Sequence, residues 1–127
     1  VVLAPNAKVG HATEVKRSLF LVDAKAPHLN YVGDSVLGHK VNIGAGVKLA
    51  NFNNMGTVIK IEGESTGLRK LGAMLGDEVT LGCNAATAPG TIVGARTMVY
   101  QGAMLRGITP ADSVVKMRPA LEIIQRI

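Results

Sequence analysis

The segment LGDEVTLGCNAATAPGTIVGARTMVYQGAML (residues 75–105) decides the fold, because one class of residue returns at every sixth position. Five of the six recurring positions are aliphatic and the other is threonine: Leu75, Leu81, Thr87, Val93, Val99 and Leu105. Glycine or alanine follows four of them. An α-helix would repeat near every 3.6 residues and a half-buried strand every second residue. A period of six is instead typical of a solenoid in which each hexapeptide forms one flat face.

The same period occurs earlier in the chain, with two one-residue slips. Leu37, Ile43 and Leu49 keep the six-residue spacing. Before them the recurring apolar positions are Val9, Val15, Phe20, Ala26 and Val32, so two faces are one residue short. Small residues also stand four places after the aliphatic ones, where the cross-section narrows, at Ala85, Thr91, Thr97 and Ala103. We therefore predict an all-β protein, a parallel β-helix over residues 1–109. Its left-handed sense is what this repeat class implies, since no spacing shows handedness.

Two segments depart from the period. Residues 51–71 are rich in Asn, Gly, Lys and Glu, and we interpret residues 52–71 as a loop inserted at one corner. Residues 57–63 within it alternate and predict a small hairpin. Residues 110–127 form a C-terminal tail, in which residues 120–127 follow Pro119 and carry apolar residues at helical spacing. We expect a short helical cap over the open end of the solenoid, with a partner-binding helix as the alternative.

Composition restricts the functional classes. The net charge of +5 comes from 14 Lys and Arg against 9 Asp and Glu, and the basic residues are scattered. Aromatic residues make up 3%, too few to stack bases, so nucleic-acid binding is not expected and a phosphate-bearing small molecule fits better. No apolar run approaches the ~18 residues of a membrane span. A single cysteine, Cys83, suits a reducing cytoplasm. Because the chain begins with Val, we expect an N-terminal segment or domain to precede it.

Residues whose side chains could take part in catalysis or ligand binding lie early in the chain. They lie in EVKRS (residues 14–18), KAPHLNYVGD (25–34), VNIGAG (41–46) and NFN (51–53), which coils of about 18 residues bring together along one side. Histidine exchanges protons near neutral pH, so His28 could be a general base, although a histidine in a strand is also commonly structural. We expect His11 and His39 to be exposed without a role. No metal is expected, because Cys83 has no companion ligands.

The strings EVKRS, KAPHLNYVGD and NIGAG, followed by Asn51, resemble a known family over most of residues 7–107. This is the hexapeptide-repeat acetyltransferase domain of the bacterial N-acetylglucosamine-1-phosphate uridylyltransferase/glucosamine-1-phosphate acetyltransferases. The spacing from Lys16 to His28, and from His28 to Tyr31 and Asn51, agrees with that family. The resemblance implies acetyl-CoA-dependent N-acetylation of an amino-sugar phosphate, in UDP-N-acetylglucosamine or related nucleotide-sugar synthesis.

The resemblance also implies roles for individual residues. His28 matches the general base, and Glu14 and Asn51 match catalytic groups near that base and the amine. The positions that match sugar-phosphate contacts are Lys16, Tyr31, Asn42 and Lys70, and those that match contacts to acetyl-CoA are Ala45, Cys83 and Gln101. Transfer would be direct, so Cys83 is not interpreted as a nucleophile. The family also leads us to expect a homotrimer with His28 near a subunit boundary.

Several positions depart from the family pattern. Phe52 stands where the family has tyrosine and Cys83 where it has serine, and the inserted loop is longer. An arginine that the family uses for the sugar phosphate would fall just before Val1, and the uridylyl-transferring domain is outside this chain. These departures keep a second interpretation open, namely a non-catalytic trimerising or regulatory β-helix of a sugar-phosphate nucleotidyltransferase.

Overall fold

The computed structural model describes residues 1–127 and contains strands, turns and coil but no helix. The 19 strands, in chain order, are β1 (Val2–Leu3), β2 (Lys8–His11), β3 (Glu14–Lys16), β4 (Leu19–Phe20), β5 (Lys25–His28), β6 (Tyr31–Gly33), β7 (Val36–Leu37), β8 (Asn42–Ile43), β9 (Lys48–Leu49), β10 (Lys60–Ile61), β11 (Glu64–Ser65), β12 (Met74–Leu75), β13 (Thr80–Leu81), β14 (Ala86–Thr87), β15 (Ile92–Val93), β16 (Met98–Val99), β17 (Met104–Leu105), β18 (Ile108–Thr109) and β19 (Val114–Val115).

The strands stack into three parallel sheets that form the sides of a prism. Sheet A has the order β1-β4-β7-β12-β15-β18, sheet B the order β19-β16-β13-β8-β5-β2, and sheet C the order β17-β14-β9-β6-β3. Outside the insert, consecutive strands belong to sheets A, B and C in turn, and three consecutive strands make one coil. The all-β parallel β-helix that the six-residue period predicts is confirmed. Parallel pairing extends to β19, whose Val114 pairs with Met98.

The short faces predicted from the sequence change the length of a coil. In the first coils, contacts between neighbouring corners join residues 17 apart, as between Arg17 and Asp34. Leu81 pairs with Val99, which makes that later coil 18 residues long. The corner absorbs the missing residue, because corner residues can adopt the left-handed conformation. Arg17 and Asp34 do so, with φ of 44° and 48°.

The inward positions form one apolar column. Side chains of Ile43, Leu81 and Val93, which the period predicts to point inward, are at most 2% exposed. The cluster also contains the following inward residues: Phe20, Ala26, Val32, Leu37, Leu49, Leu75, Val99 and Leu105. Because a parallel ladder keeps equivalent positions in register, each inward residue stacks on the one a coil earlier, as Leu81 does on Ile43.

The insert forms the antiparallel hairpin β10–β11, in which Lys60 pairs with Ser65. Its one deeply buried side chain, Ile59, is 2% exposed and lies against Gly90, where an added Cβ would come within 2.9 Å of it. The carbonyl of Asn51 accepts a hydrogen bond from the amide of Leu71 at 3.0 Å, which closes the base of the loop.

The predicted C-terminal helix is wrong. Residues 116–127 form no regular structure, and Leu121, Ile123 and Ile124 are 78–90% exposed. An eight-residue helix is marginal in water without packing, and isoleucine is a modest helix former. With no apolar surface beneath the segment, spacing alone does not stabilise a helix. No helix is available to cross a membrane.

The outward ladders of the three sheets differ in chemistry. In sheet A, the paired outward residues are all apolar: Val2, Leu19, Val36, Met74, Ile92 and Ile108. The equivalent ladder of sheet B begins with Lys8, Lys25 and Asn42, and that of sheet C with Glu14, Tyr31 and Lys48. We call the sheet A ladder the apolar face.

Candidate functional site

His28 ends β5 at the corner between sheets B and C, with its side chain exposed. Asn30, which is 4% exposed, fixes this corner. Its side-chain oxygen accepts the backbone N–H of His28 at 3.1 Å, and its amide donates to the carbonyl of Gly44 at 2.8 Å. The imidazole itself forms no hydrogen bond within the chain, so it is available to a ligand.

The parallel register brings His28 into one column with the residues predicted to contact acetyl-CoA. From the pairing of Ile43 with Leu81 and of Leu81 with Val99, the next corner position aligns Ala45, Cys83 and Gln101. The carbonyl of Ala45 accepts the amide of Asn84, and that of Cys83 accepts the amide of Gly102, both at 2.9 Å. His28 occupies the same corner one coil earlier.

A shallow groove runs along sheet B beside this column. Its lining includes Asn42, Gly44, Cys83, Tyr100 and Gln101. Gly44 and Gly82 keep the coils close, because an added Cβ on Gly82 would come within 2.5 Å of the amide nitrogen of Gln101. Asn42, predicted to bind the sugar phosphate, therefore lies in this groove with the predicted acetyl-CoA contacts.

The other predicted site residues lie on sheet C and at its far corner. Glu14 pairs with Tyr31 and Lys16 with Gly33, and the ammonium of Lys16 lies 3.3 Å from the carboxylate of Glu14. Gly33 has no side chain and so leaves room for the phenol of Tyr31 and the carboxamide of Asn51. An added Cβ there would lie 2.7 Å from the phenol oxygen of Tyr31 and would collide with the amide of Asn51.

At the corner between sheets C and A, a carboxylate joins three coils. The guanidinium of Arg17 donates to both oxygens of Asp34, from Nε at 2.7 Å and from Nη2 at 3.1 Å. The Asn51 amide donates to Oδ2 of Asp34 at 2.6 Å. Sequence reasoning missed Arg17 and Asp34. The available signal was spacing: opposite charges one 17-residue coil apart, followed by Asn51 after another 17 residues.

Lys70 joins this corner from the end of the insert. Its ammonium lies 6.0 Å from the centre of the Phe52 ring, and its positive charge acts on Asp34. We call Lys16, Arg17, Tyr31, Asp34, Asn51 and Lys70 the corner cluster. Three of its six members are cationic and one is anionic, so its net charge is positive even when the Glu14 carboxylate beside Lys16 is included.

The electrostatics of the cluster favour ionised Asp34. Hydrogen bonds from Arg17 hold the pKa of Asp34 below its usual value against the opposing effect of partial burial; the Asn51 hydrogen bond and the charges of Arg17 and Lys70 lower it further. The same interaction raises the pKa of Arg17. Both groups are therefore charged throughout the physiological range.

This lowered pKa predicts an acid-dependent loss of stability. Asp34 binds its proton more readily in the unfolded chain, so its contribution is complete above the unfolded pKa of about 3.9. The contribution is lost as pH falls through the folded pKa. We expect Asp34→Asn to flatten the dependence of the free energy of unfolding on pH below about pH 5, measured by urea denaturation. Asp112→Asn should flatten it less, because Asp112 is more exposed and has one side-chain partner. Equal effects would contradict this assignment.

The structure thus forms two groups at opposite edges of sheet C. His28 and the column with Ala45, Cys83 and Gln101 lie at the first edge, and the corner cluster lies at the second. Tyr31 begins β6 next to the first edge, and its phenol lies beside Gly33 on the side of the corner cluster. Three residue steps lead from Tyr31 to Asp34, a span of about 10 Å at the rise of an extended strand. No three His, Cys, Asp or Glu side chains come close enough to hold a metal ion.

This arrangement suits an anionic ligand better than an apolar one. The cationic edge can bind a phosphate, and the imidazole at the other edge can accept a proton from a ligand group that it contacts. The groove of sheet B is lined by three coils, and the first of them, which carries Asn42, follows directly on the coil of His28.

Comparisons with known proteins identify relatives of the chain. It is 41% identical over 108 residues to the "Bifunctional sugar-1-phosphate nucleotidylyltransferase/acetyltransferase" of Sulfurisphaera tokodaii, an alignment that covers 82% of this chain and 27% of that protein. It is 32% identical over 128 residues to the "Bifunctional protein GlmU" of Methanococcus maripaludis strain C5, covering 98% and 31%. The chain therefore spans less than a third of the length of these curated relatives. No protein-family model matches it.

Among solved structures, the chain is similar to serine acetyltransferase isoform 3 of Entamoeba histolytica, crystallised in complex with cysteine. The TM-score is 0.57 with 14% identity, over 91% of this chain and 36% of that one. At this identity the similarity supports the fold alone.

Proposed function

Because the chain is homologous to a segment of the bifunctional sugar-1-phosphate nucleotidylyltransferase/acetyltransferases, we propose that it is an acetyl-CoA-dependent N-acetyltransferase acting on an amino-sugar phosphate. The nucleotide-sugar pathway that leads to UDP-N-acetylglucosamine, or a related one, would use the product. The single Cys83, without a disulfide partner, is consistent with a cytoplasmic location.

One observation carries this proposal: a free imidazole and a cationic cluster flank the same sheet. Of the ten residues predicted from the sequence, five (Glu14, Lys16, Tyr31, Asn51 and Lys70) lie on or beside sheet C. His28, Ala45, Cys83 and Gln101 share the other corner. The acceptor would lie on sheet C, where the long side chains of Lys16 and Lys70 would reach its phosphate and the imidazole of His28 would reach the neighbouring amine. The donor would lie in the groove of sheet B, which Asn42 also lines.

The reaction in this arrangement is a direct acyl transfer. His28 removes a proton as the acceptor's amine nitrogen attacks the thioester carbonyl, so the new C–N bond forms without an enzyme-bound acyl group. The C–S bond then breaks, and the departing CoA thiolate takes up a proton. Backbone amides at the corner of Ala45 and Cys83 are candidates to stabilise the negative carbonyl oxygen. Lys16 and Lys70 neutralise the phosphate.

The proposed assembly is a homotrimer. The apolar face extends over six strands of sheet A without a charged outward residue, and Val2 and Ile108 at its ends are 61% and 47% exposed. Monomeric proteins rarely leave a continuous apolar surface of this kind uncovered. Further copies of the chain are the natural occupants, because a closed threefold ring buries the same face on every subunit.

We expect light scattering to give a mass about three times the chain mass of 13.2 kDa. Ile92→Lys places a charge in the middle of the apolar face and should shift the protein to monomers, because the ammonium would have to be desolvated in the contact. Met104→Lys adds the same charge to the outward ladder of sheet C and should leave the mass unchanged. A wild-type monomer with a native circular dichroism spectrum would refute the trimer.

The activity is tested by calorimetry with acetyl-CoA and by mass-spectrometric detection of N-acetylated product from glucosamine-1-phosphate. We expect saturable acetyl-CoA binding and turnover. Binding of neither acetyl-CoA nor any amino-sugar phosphate by a folded trimer would instead support the non-catalytic, trimerising interpretation.

A further inference from the structure

Two Arg–Asp pairs of the same geometry join successive coils. In the corner cluster, Arg17 pairs with Asp34; at a corner between sheets A and B, Arg96 donates to Asp112 from Nε at 2.6 Å and from Nη2 at 3.0 Å. All four residues have left-handed backbone conformations, with φ between 44° and 60°. Because the two pairs have the same geometry, joining two coils needs no residue other than the arginine and the aspartate. Any additional property of Arg17 and Asp34 must come from their surroundings.

The surroundings of the two pairs differ. Asp34 is 14% exposed and bonds a second side chain, Asn51, whereas Asp112 is 62% exposed and bonds only Arg96. Lys16 precedes Arg17 in the chain and Lys70 lies near Asp34. Near the other pair the charges of Asp77 and Glu78 act on Arg96, so its surroundings are acidic. An anion would be attracted to the first pair and repelled from the second.

We propose that Arg17 binds the anionic group of the acceptor and that Asp34 is a positioning residue for both Arg17 and Asn51. This assignment rests on the proposed function and names two residues of its site that the family resemblance did not supply. Arginine has five N–H donors, and Asp34 takes two of them. The other three remain for phosphate oxygens, on a guanidinium that is 57% exposed and held in one orientation.

Asp34 also determines which end of the Asn51 side chain faces the site. The amide nitrogen donates to Asp34, and the carbonyl oxygen accepts no hydrogen bond within the chain. That oxygen is therefore free to accept a hydrogen bond from the sugar's amine or hydroxyl groups. Asparagine at position 34 would lose the anionic oxygen that selects this orientation. The Asn51 carboxamide could then rotate and present its N–H2 group instead.

The first test compares Arg17→Lys with Arg96→Lys in the full chain. A lysine cannot bond both oxygens of the aspartate and still present a planar set of donors to phosphate. We expect Arg17→Lys to raise KM for glucosamine-1-phosphate roughly tenfold, with little change in kcat or in KM for acetyl-CoA. Activity toward glucosamine, which has no phosphate, should be unaffected. Arg96→Lys loses the same inter-coil pair and should change none of these constants.

The second test compares Asp34→Asn with Asp112→Asn. We expect Asp34→Asn to lower kcat by roughly tenfold or more and also to raise KM for the acceptor, because it disturbs both Asn51 and Arg17. Asp112→Asn should keep both constants. Melting temperatures of all four variants separate these effects from loss of folding. Equal kinetic effects at the two corners would overturn the proposal, since both pairs would then be structural clamps.

Calorimetry distinguishes failure of this proposal from failure of the proposed function. Inorganic phosphate is titrated into the wild-type protein and into the Arg17→Lys and Arg96→Lys variants. Phosphate binding that weakens only in Arg17→Lys supports the anion site even if no acetyl transfer is found. Acetyl transfer with phosphate affinity and acceptor KM unchanged in Arg17→Lys would retain the enzyme and overturn the anion site.

Discussion

His28→Ala is expected to reduce acetyl transfer by about 10²–10⁴-fold, the usual contribution of a positioned general base. The side chain is exposed and forms no hydrogen bond, while the corner that carries it is held through the backbone by Asn30. Removing the imidazole should therefore leave the melting temperature and acetyl-CoA binding nearly unchanged. Initial rates with glucosamine-1-phosphate and a thiol-release assay measure the effect.

His11→Ala is the matched control for this prediction. His11 is the parallel register partner of His28, is exposed, and lines the same surface depression. The two histidines lie at the same corner in successive coils, so each substitution removes the same side chain from an equivalent position. We expect His11→Ala to retain most of the activity. Full activity in His28→Ala, or equal losses in both variants, would show that another group accepts the proton.

Leu81→Asp is expected to unfold the protein. Leu81 is 2% exposed and stacks between Ile43 and Val99 in the apolar column. A carboxylate there would have no partner, and such substitutions cost on the order of 4–5 kcal/mol or more, a large part of a typical total stability of 5–15 kcal/mol. Urea denaturation or thermal melting followed by circular dichroism measures the loss.

Thr80→Asp provides the control, one residue earlier on the same strand. Thr80 belongs to the outward ladder of sheet B, where it pairs with Asn42 and Met98, and is partly exposed. The same charge there remains hydrated, so we expect a change within about 1 kcal/mol. If the Leu81→Asp protein has the same melting temperature as the wild type, the assignment of Leu81 to an inward position is wrong.

The six-residue period predicts the inward positions well because a parallel solenoid repeats one local environment. Each aliphatic residue meets the same kind of neighbour a coil away, so local pattern and tertiary contact agree. The C-terminal tail lacks that agreement. Its apolar spacing fits a helix, yet residues 120–127 meet no packing surface, and no property of the segment itself reveals that absence.

The candidate site was predictable only in part. Spacing and family resemblance identify residues such as His28 and Asn51, but the division between the two edges of sheet C depends on where each corner falls. Asn42 illustrates this limit: the same role is predicted for it as for Lys16 and Tyr31, yet it lies on sheet B, because it begins β8 (Asn42–Ile43). Their assigned roles stay predictions until the variants are measured.

Arg17 and Asp34 could not be identified from the sequence for a different reason. A bidentate ion pair between residues 17 apart cannot be recognised until the coil length is known, and that length varies. It is 17 residues in the first coils, 18 where Leu81 pairs with Val99 and 16 where Met98 pairs with Val114. Once the local coil length is established, opposite charges one coil apart become a usable signal, and Arg96 with Asp112, 16 residues apart, is a second example.

The insert shows that a β-helix can accept a long extra segment without a change in the register of the coils that follow it. Leu75 pairs with Leu37 although 38 positions separate them, so the twenty extra residues leave every later strand in its proper layer. A detour that leaves and re-enters at a corner costs mainly loop closure, which increases only with the logarithm of its length. One added residue within a face would instead reverse the inward and outward sides of the strand. Corners between coils are therefore the positions at which such proteins can acquire new segments in evolution, and at which an engineer could graft one.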